Sequence, residues 1–177
     1  MKNNYNPHFL LQIVDQHTFA IEQFFKTTEH AILKDYVNSE FLGPRCFVLR
    51  YASDYEANYD TFGIVPNAEK MQTPEGSNQE AINLKKMLNN LLPSPLAIVF
   101  VSEGKINEKD CFLLISFETP FSGTKKLFRV YKKETDRSYK SFVYDSKASN
   151  DVVSYSIEQY CHLLRINPLC LNFDYSN

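Results

Sequence analysis

Glycine is scarce in this chain, at 5 of 177 residues. A loop that cradles phosphate needs several glycines at fixed spacing between a strand and a helix, so P-loop and dinucleotide-binding chemistry fall away. Cysteine is thin as well. The 4 cysteines, Cys46, Cys111, Cys161 and Cys170, include no C-x-x-C pair, and the 4 histidines, His8, His17, His30 and His162, are scattered. Such spacing builds neither a zinc site nor a disulfide framework, and no metal or cofactor is expected. Positive charge is not in excess either. The net charge is -2 and the pI about 6.1, which argues against a nucleic-acid partner held by bulk charge. No apolar run is long enough for a membrane span, and the first residues lack the apolar core of a signal peptide, so a cytoplasmic protein is expected.

What the chain does have is apolar and aromatic residues: 14 Phe, 11 Tyr and 44% hydrophobic residues against 23% charged. A chain of this length buries roughly 70% of its unfolded surface. One domain over 1–177 is expected, with no need of disulfides or a structural metal.

The pattern along the chain reads as helix, strand, insertion, meander, helix. Asn6-Pro7 is a helix start, and Phe9, Leu10, Ile13, Val14, Ala20, Ile21, Phe24 and Phe25 follow at helical spacing. Ile32, Leu33, Tyr36 and Val37 continue the stripe beyond the polar Lys26-Thr-Thr-Glu29, giving one long helix or two consecutive ones. Arg45 to Tyr51 alternates as a strand, with Phe47 and Leu49 on one face and Val48 and Arg50 on the other. Thr61 to Val65 is a short strand stopped by Pro66. Ser77-Asn-Gln-Glu80 is a capping box that predicts a helix carrying Ala81, Leu84, Met87, Leu88, Leu91 and Leu92. Four strand-like runs come next: Leu96 to Val101, Cys111 to Glu118, Lys126 to Lys132 and Tyr139 to Tyr144. Polar breaks at Glu103-Gly-Lys105, Pro120 to Gly123 and Glu134 to Arg137 make them an antiparallel meander. A last helix is predicted from Asp151, with Cys161 in its apolar stripe. The fold class is α+β, a mainly antiparallel sheet flanked by helices.

Three stretches resemble the SH2 domain family. Phe47-Val-Leu-Arg50 is similar to the family's strand whose arginine lies at the bottom of the phosphotyrosine pocket, and Ser53 follows in the next loop. Lys125 to Lys132 resembles the fourth strand, where a positive residue flanks the phosphotyrosine ring. Tyr155 to Leu164, followed by Pro168-Leu-Cys-Leu171, is similar to the second helix and the closing apolar segment. The resemblance implies an SH2-like fold with a helical insertion at about 68–101 and a non-catalytic module that binds tyrosine-phosphorylated peptide or protein. It implies phosphotyrosine contacts from Arg50, Ser53, Arg129 and Lys126. Leu127 stands where the family most often has histidine, and no arginine occurs in the first helical segment, so the donor set is reduced. The long, Asn/Lys/Tyr-rich chain with an insertion looks more like the divergent SH2 domains of effectors from intracellular bacteria than like an animal signalling domain, which would place it in the host cytoplasm.

The chemistry behind these assignments is general. Phosphotyrosine carries about -2 charge and three acceptor oxygens, and a planar guanidinium grips two of them as lysine cannot. Arg129 can lie along a phenol ring as a cation–π partner. Alternation puts Lys126, Phe128 and Val130 on one strand face and Leu127, Arg129 and Tyr131 on the other, so Lys126 and Arg129 share a pocket only across a bulge. Blander readings stand beside these: Arg50 as a salt-bridged edge residue, the run Lys125 to Lys133 as a solvated face, and His17 and His30 as surface or core-edge residues. Cys161 and His162, adjacent on a helix, point about 100° apart and form no catalytic pair. Two other functions remain open: a secretion-chaperone or immunity-type protein binder without an anion site, and a small cytosolic hydrolase whose site is assembled from distant residues.

Overall fold

The computed structural model describes residues 7–39, 42–52, 59–106, 110–120, 127–134, 138–142 and 163. The helix predicted from Asp151, with Cys161 and His162, lies outside them except for Leu163.

Helix α1 runs unbroken from Pro7 to Asn38. The polar stretch at Lys26 does not divide it, because the apolar stripe keeps its phase: Ile21 and Phe24 before it and Ile32, Leu33 and Tyr36 after it are all buried. The Thr27 hydroxyl donates back to the Gln23 carbonyl at 2.8 Å, so its polar group is satisfied within the helix. Strands β1 (Arg45–Tyr51) and β2 (Tyr59–Ile64) follow as an antiparallel pair. Then come a short 3-10 turn at Lys70–Gln72 and helix α2, Pro74–Asn90. Strands β3 (Pro95–Ile106), β4 (Asp110–Glu118), β5 (Leu127–Lys133) and β6 (Tyr139–Phe142) form the expected meander.

All six strands pair antiparallel in the order β2-β1-β3-β4-β5-β6. The α+β class holds, and the segment 68–101 is the one that the resemblance marks as an insertion. It supplies α2 and the first half of β3, which lies between β1 and β4 as their common partner. The reason is in the composition: Leu96 to Val101 is apolar on both faces, and only a central strand covered on both sides buries such a run.

The two faces carry separate cores. On one, α1 sets Ile21, Phe24, Leu33 and Tyr36 against Leu49, Val99, Val101, Leu113, Ile115 and Phe117. On the other, Ala81, Leu84 and Leu88 of α2, together with Leu163, meet Cys46, Val48, Ile98 and Phe100.

Two boundaries differ from expectation. Helix α2 begins one turn before the capping box: Thr73 is its N-cap, accepting from the Gly76 N–H at 3.1 Å, and Pro74 takes the first helical position. Glu80 instead accepts from the Asn67 N–H at 3.2 Å and pairs with Lys70 at 3.7 Å, tying the preceding turn to the helix. The break at Glu103-Gly-Lys105 lies inside β3, because β4 pairs with it residue by residue as far as Ile106. A paired backbone keeps polar residues in a strand, and Glu103 caps the Leu42 N–H at 2.8 Å. Among the described residues no helix is long and apolar enough to cross a membrane.

Candidate functional site

Strand β1 sends alternate side chains to the two layers. Phe47, Leu49 and Tyr51 join the α1 side, while Cys46 and Val48 join the α2 side. Arg50 follows Cys46 and Val48 in phase and is the polar end of an otherwise buried row. The ladder shifts beside it: Leu49 faces Ala97 but Arg50 faces Pro95. Pro95 has no N–H to contribute, and a bulge here places both Leu96 and Ala97 in the α1-side core.

The Arg50 guanidinium is half-buried over the edge of the sheet. Its carbon lies 5.0 Å from the centroid of the Phe62 ring. Nη1 donates to the Leu92 carbonyl at 3.4 Å, and Nη2 is 3.7 Å from Asp60 Oδ2 on the cross-strand neighbour. Nε is buried and has no hydrogen-bond partner among the described residues. These are long contacts. A charge-assisted bond to a phosphate oxygen is shorter, at about 2.7–2.9 Å, so Arg50 is positioned by its ring and strand more than by its polar partners.

The other members of the expected set do not converge on it. Ser53 and Lys126 lie outside the described residues. Arg129 is on the opposite face of the sheet, three strands away: it pairs with Ile115, which pairs with Val101, and both are buried on the α1 side. A pocket shared by Arg50 and Arg129 is therefore not formed, because the antiparallel register puts the two residues out of phase. Arg129 is instead a clasp. It pairs with Glu29 of α1, which also accepts from the Tyr131 hydroxyl, and its guanidinium sits 5.5 Å from the Phe117 ring centroid. The Glu29 hydrogen bond holds the Arg129 pKa above its ordinary value, and burial, then Glu29, pushes the Tyr131 phenol up to about 12. Glu29 is thus engaged with β5 and forms no acid–base pair with the exposed His30.

His17 was expected at the surface or core edge and is buried, with only 5% exposure. Tyr51 and Tyr59, directly opposed across β1 and β2, stack at 5.5 Å and enclose it. The Tyr59 hydroxyl is 3.2 Å from Nδ1 and the Tyr51 hydroxyl lies against Nε2. Burial lowers the imidazole pKa. Only the pairing of two tyrosines at facing strand ends hinted at this in the sequence.

Two cavities border the edge strand β2, and both open beside Phe47 and Gly63. One, about 300 Å³, is lined by Phe24, Thr27, Thr28, Phe47, Thr61 and Gly63. The second, about 420 Å³, continues past Phe47 and Gly63 to Pro44, Arg45 and Val65. The Cys46 thiol is buried, and desolvation, then the Glu118 charge, pushes its pKa up, so it is a poor nucleophile. Among the described residues no group of three His, Cys, Asp or Glu side chains is placed to hold a metal ion.

No family model matches the chain, and no curated protein or solved structure matches it either.

Proposed function

We propose that this chain is a peptide-recognition module that takes a phosphotyrosine at Arg50, working in the cytoplasm or, as a secreted effector, in the host cytoplasm. The observation that supports this reading is the state of Arg50. The guanidinium is half-buried over an aromatic ring, its Nη1 and Nη2 contacts are long, and its buried Nε has no partner among the described residues, so Nη1 and Nη2 are donors that a phosphate would engage. Arg129 lies on the other face of the sheet, so in this reading the anion rests on Arg50; Ser53, three positions on in the sequence and outside the described residues, is the further donor the resemblance implies.

A fluorescence titration with a phosphotyrosine peptide and its unphosphorylated twin tests the reading. The phosphorylated peptide binds more tightly, and Arg50→Lys removes about 1.5–3 kcal/mol of that affinity, because a bidentate charge-assisted pair becomes a point contact. Equal affinity for the twins would sink the phosphate assignment. One observation favours a partner without phosphate: Asp60 already neutralises Arg50 across the strand pair. In that case both peptides bind alike and Arg50→Lys changes neither. Release of inorganic phosphate from the peptide would instead identify a hydrolase.

A further inference from the structure

β2 ends the strand order, and among the described residues no strand pairs with its outer side. Natural edges are guarded by lysines, prolines or bulges. Tyr59–Ile64 has none of these: its one charge, Asp60, is turned to Arg50, and Gly63 leaves its α1 side bare beside Phe47. The two cavities at Thr61–Gly63 and Gly63–Val65 run along this same strand. Cations flank it on both faces. Arg50 lies over Phe62 on the α2 side, and Arg45, only loosely paired with Asp35 at 3.4 Å, lines the larger cavity on the α1 side.

From this edge we infer that an extended, tyrosine-phosphorylated peptide adds to β2 as a further strand, its main chain completing the outer ladder and its side chains alternating between the two faces. The inference rests on the phosphotyrosine reading of Arg50 and says how the peptide lies. A strand shows successive side chains to opposite faces. With the phosphotyrosine turned to Arg50, residues one and three positions away along the peptide face the α1 side and enter the two cavities. Residues two positions away share the phosphotyrosine's face, toward α2. The cationic flanks select an anionic peptide over a neutral one, and an acidic side chain among those facing the α1 side is matched by Arg45.

The test uses a peptide library with phosphotyrosine fixed at the centre, its unphosphorylated counterpart, and three variants. Gly63→Val fills the groove where its two cavities meet. A Cβ there stands 4.0 Å from Phe47 Cδ1, an ordinary contact, and a β-branched residue suits a strand, so the fold accommodates it. Thr27→Leu narrows the same groove from the exposed wall of α1. Arg50→Lys reports on the phosphate. The library is expected to select apolar residues, or an acidic one beside Arg45, at one and three positions from the phosphotyrosine more strongly than at two, and Gly63→Val and Thr27→Leu are each expected to weaken the selected peptide about tenfold. If both groove variants bind as the unaltered protein does while Arg50→Lys loses affinity, strand addition is overturned and the phosphate reading stands. If the alternating selection persists without phosphate and Arg50→Lys changes nothing, the phosphate reading is overturned and the edge is retained for an unmodified peptide. A concentration-dependent dimer that Gly63→Val abolishes and peptide does not dissociate assigns the edge to a second copy of this chain and overturns the inference.

Discussion

Acidification should weaken this fold through His17. The imidazole is buried between Tyr51 and Tyr59, and burial lowers its pKa below the ordinary 6.5. The unfolded chain therefore takes up the proton first. The neutral ring's contribution is complete above pH 6.5 and is lost progressively as the pH falls from there through the lowered folded value. Across that window one group changes stability by at most about 1.4 kcal/mol per pH unit. Effects of pH elsewhere in the chain are common to both proteins, so the informative quantity is a difference between two proteins. His17→Gln keeps a donor and an acceptor but binds no proton, and at neutral pH it should cost about 1 kcal/mol for poorer geometry with the two hydroxyls. Urea unfolding followed by tyrosine fluorescence, repeated from neutral pH to about pH 5, should show the gap between the two proteins narrowing below pH 6.5. A gap that stays constant over that range would show that His17 is not held neutral by the fold, and the reasoning from burial would fail.

Three further outcomes follow from the packing. Leu88 is wholly buried between α2 and the sheet, so Leu88→Ala should destabilise by about 2–5 kcal/mol in denaturant titration, and a loss below 1 kcal/mol would mean that this face is not a core. Thr73→Ala removes the α2 cap and should cost about 0.5–2 kcal/mol, whereas Ser77→Ala, past the true helix start, should cost less on the same measurement. Arg129→Gln should leave phosphopeptide affinity unchanged and reduce stability by about 1 kcal/mol or less, since the Arg129–Glu29 pair is partly exposed. A large drop in peptide affinity for that variant would return Arg129 to the binding site.

The sequence by itself determined what depends on neighbours along the chain. The stripe from Ile21 to Tyr36 has the helical period and reads as helix, with one helix or two left to the structure, and alternation in Arg45 to Tyr51 placed Arg50 opposite Phe47 and Leu49. Short apolar runs separated by polar breaks were enough to yield the strands of the meander. Local signals also competed: Ser77 and Glu80 have the spacing of a capping box, but Thr73-Pro74 satisfies the same orphan amides one turn earlier. Tertiary structure alone decided what depends on register between strands distant in sequence. Whether Arg50 and Arg129 share a face is a parity summed over β1, β3, β4 and β5, and each ladder contributes to it; no spacing within one strand records that sum. The same holds for the central position of β3 between β1 and β4. It holds too for His17, a lone histidine on a helix until pairing of Tyr51 with Tyr59 closes around it. Side-chain period is a local property of the backbone, while the face opposite a residue is set by which strand the chain returns to, and that choice is made by burial of both cores at once.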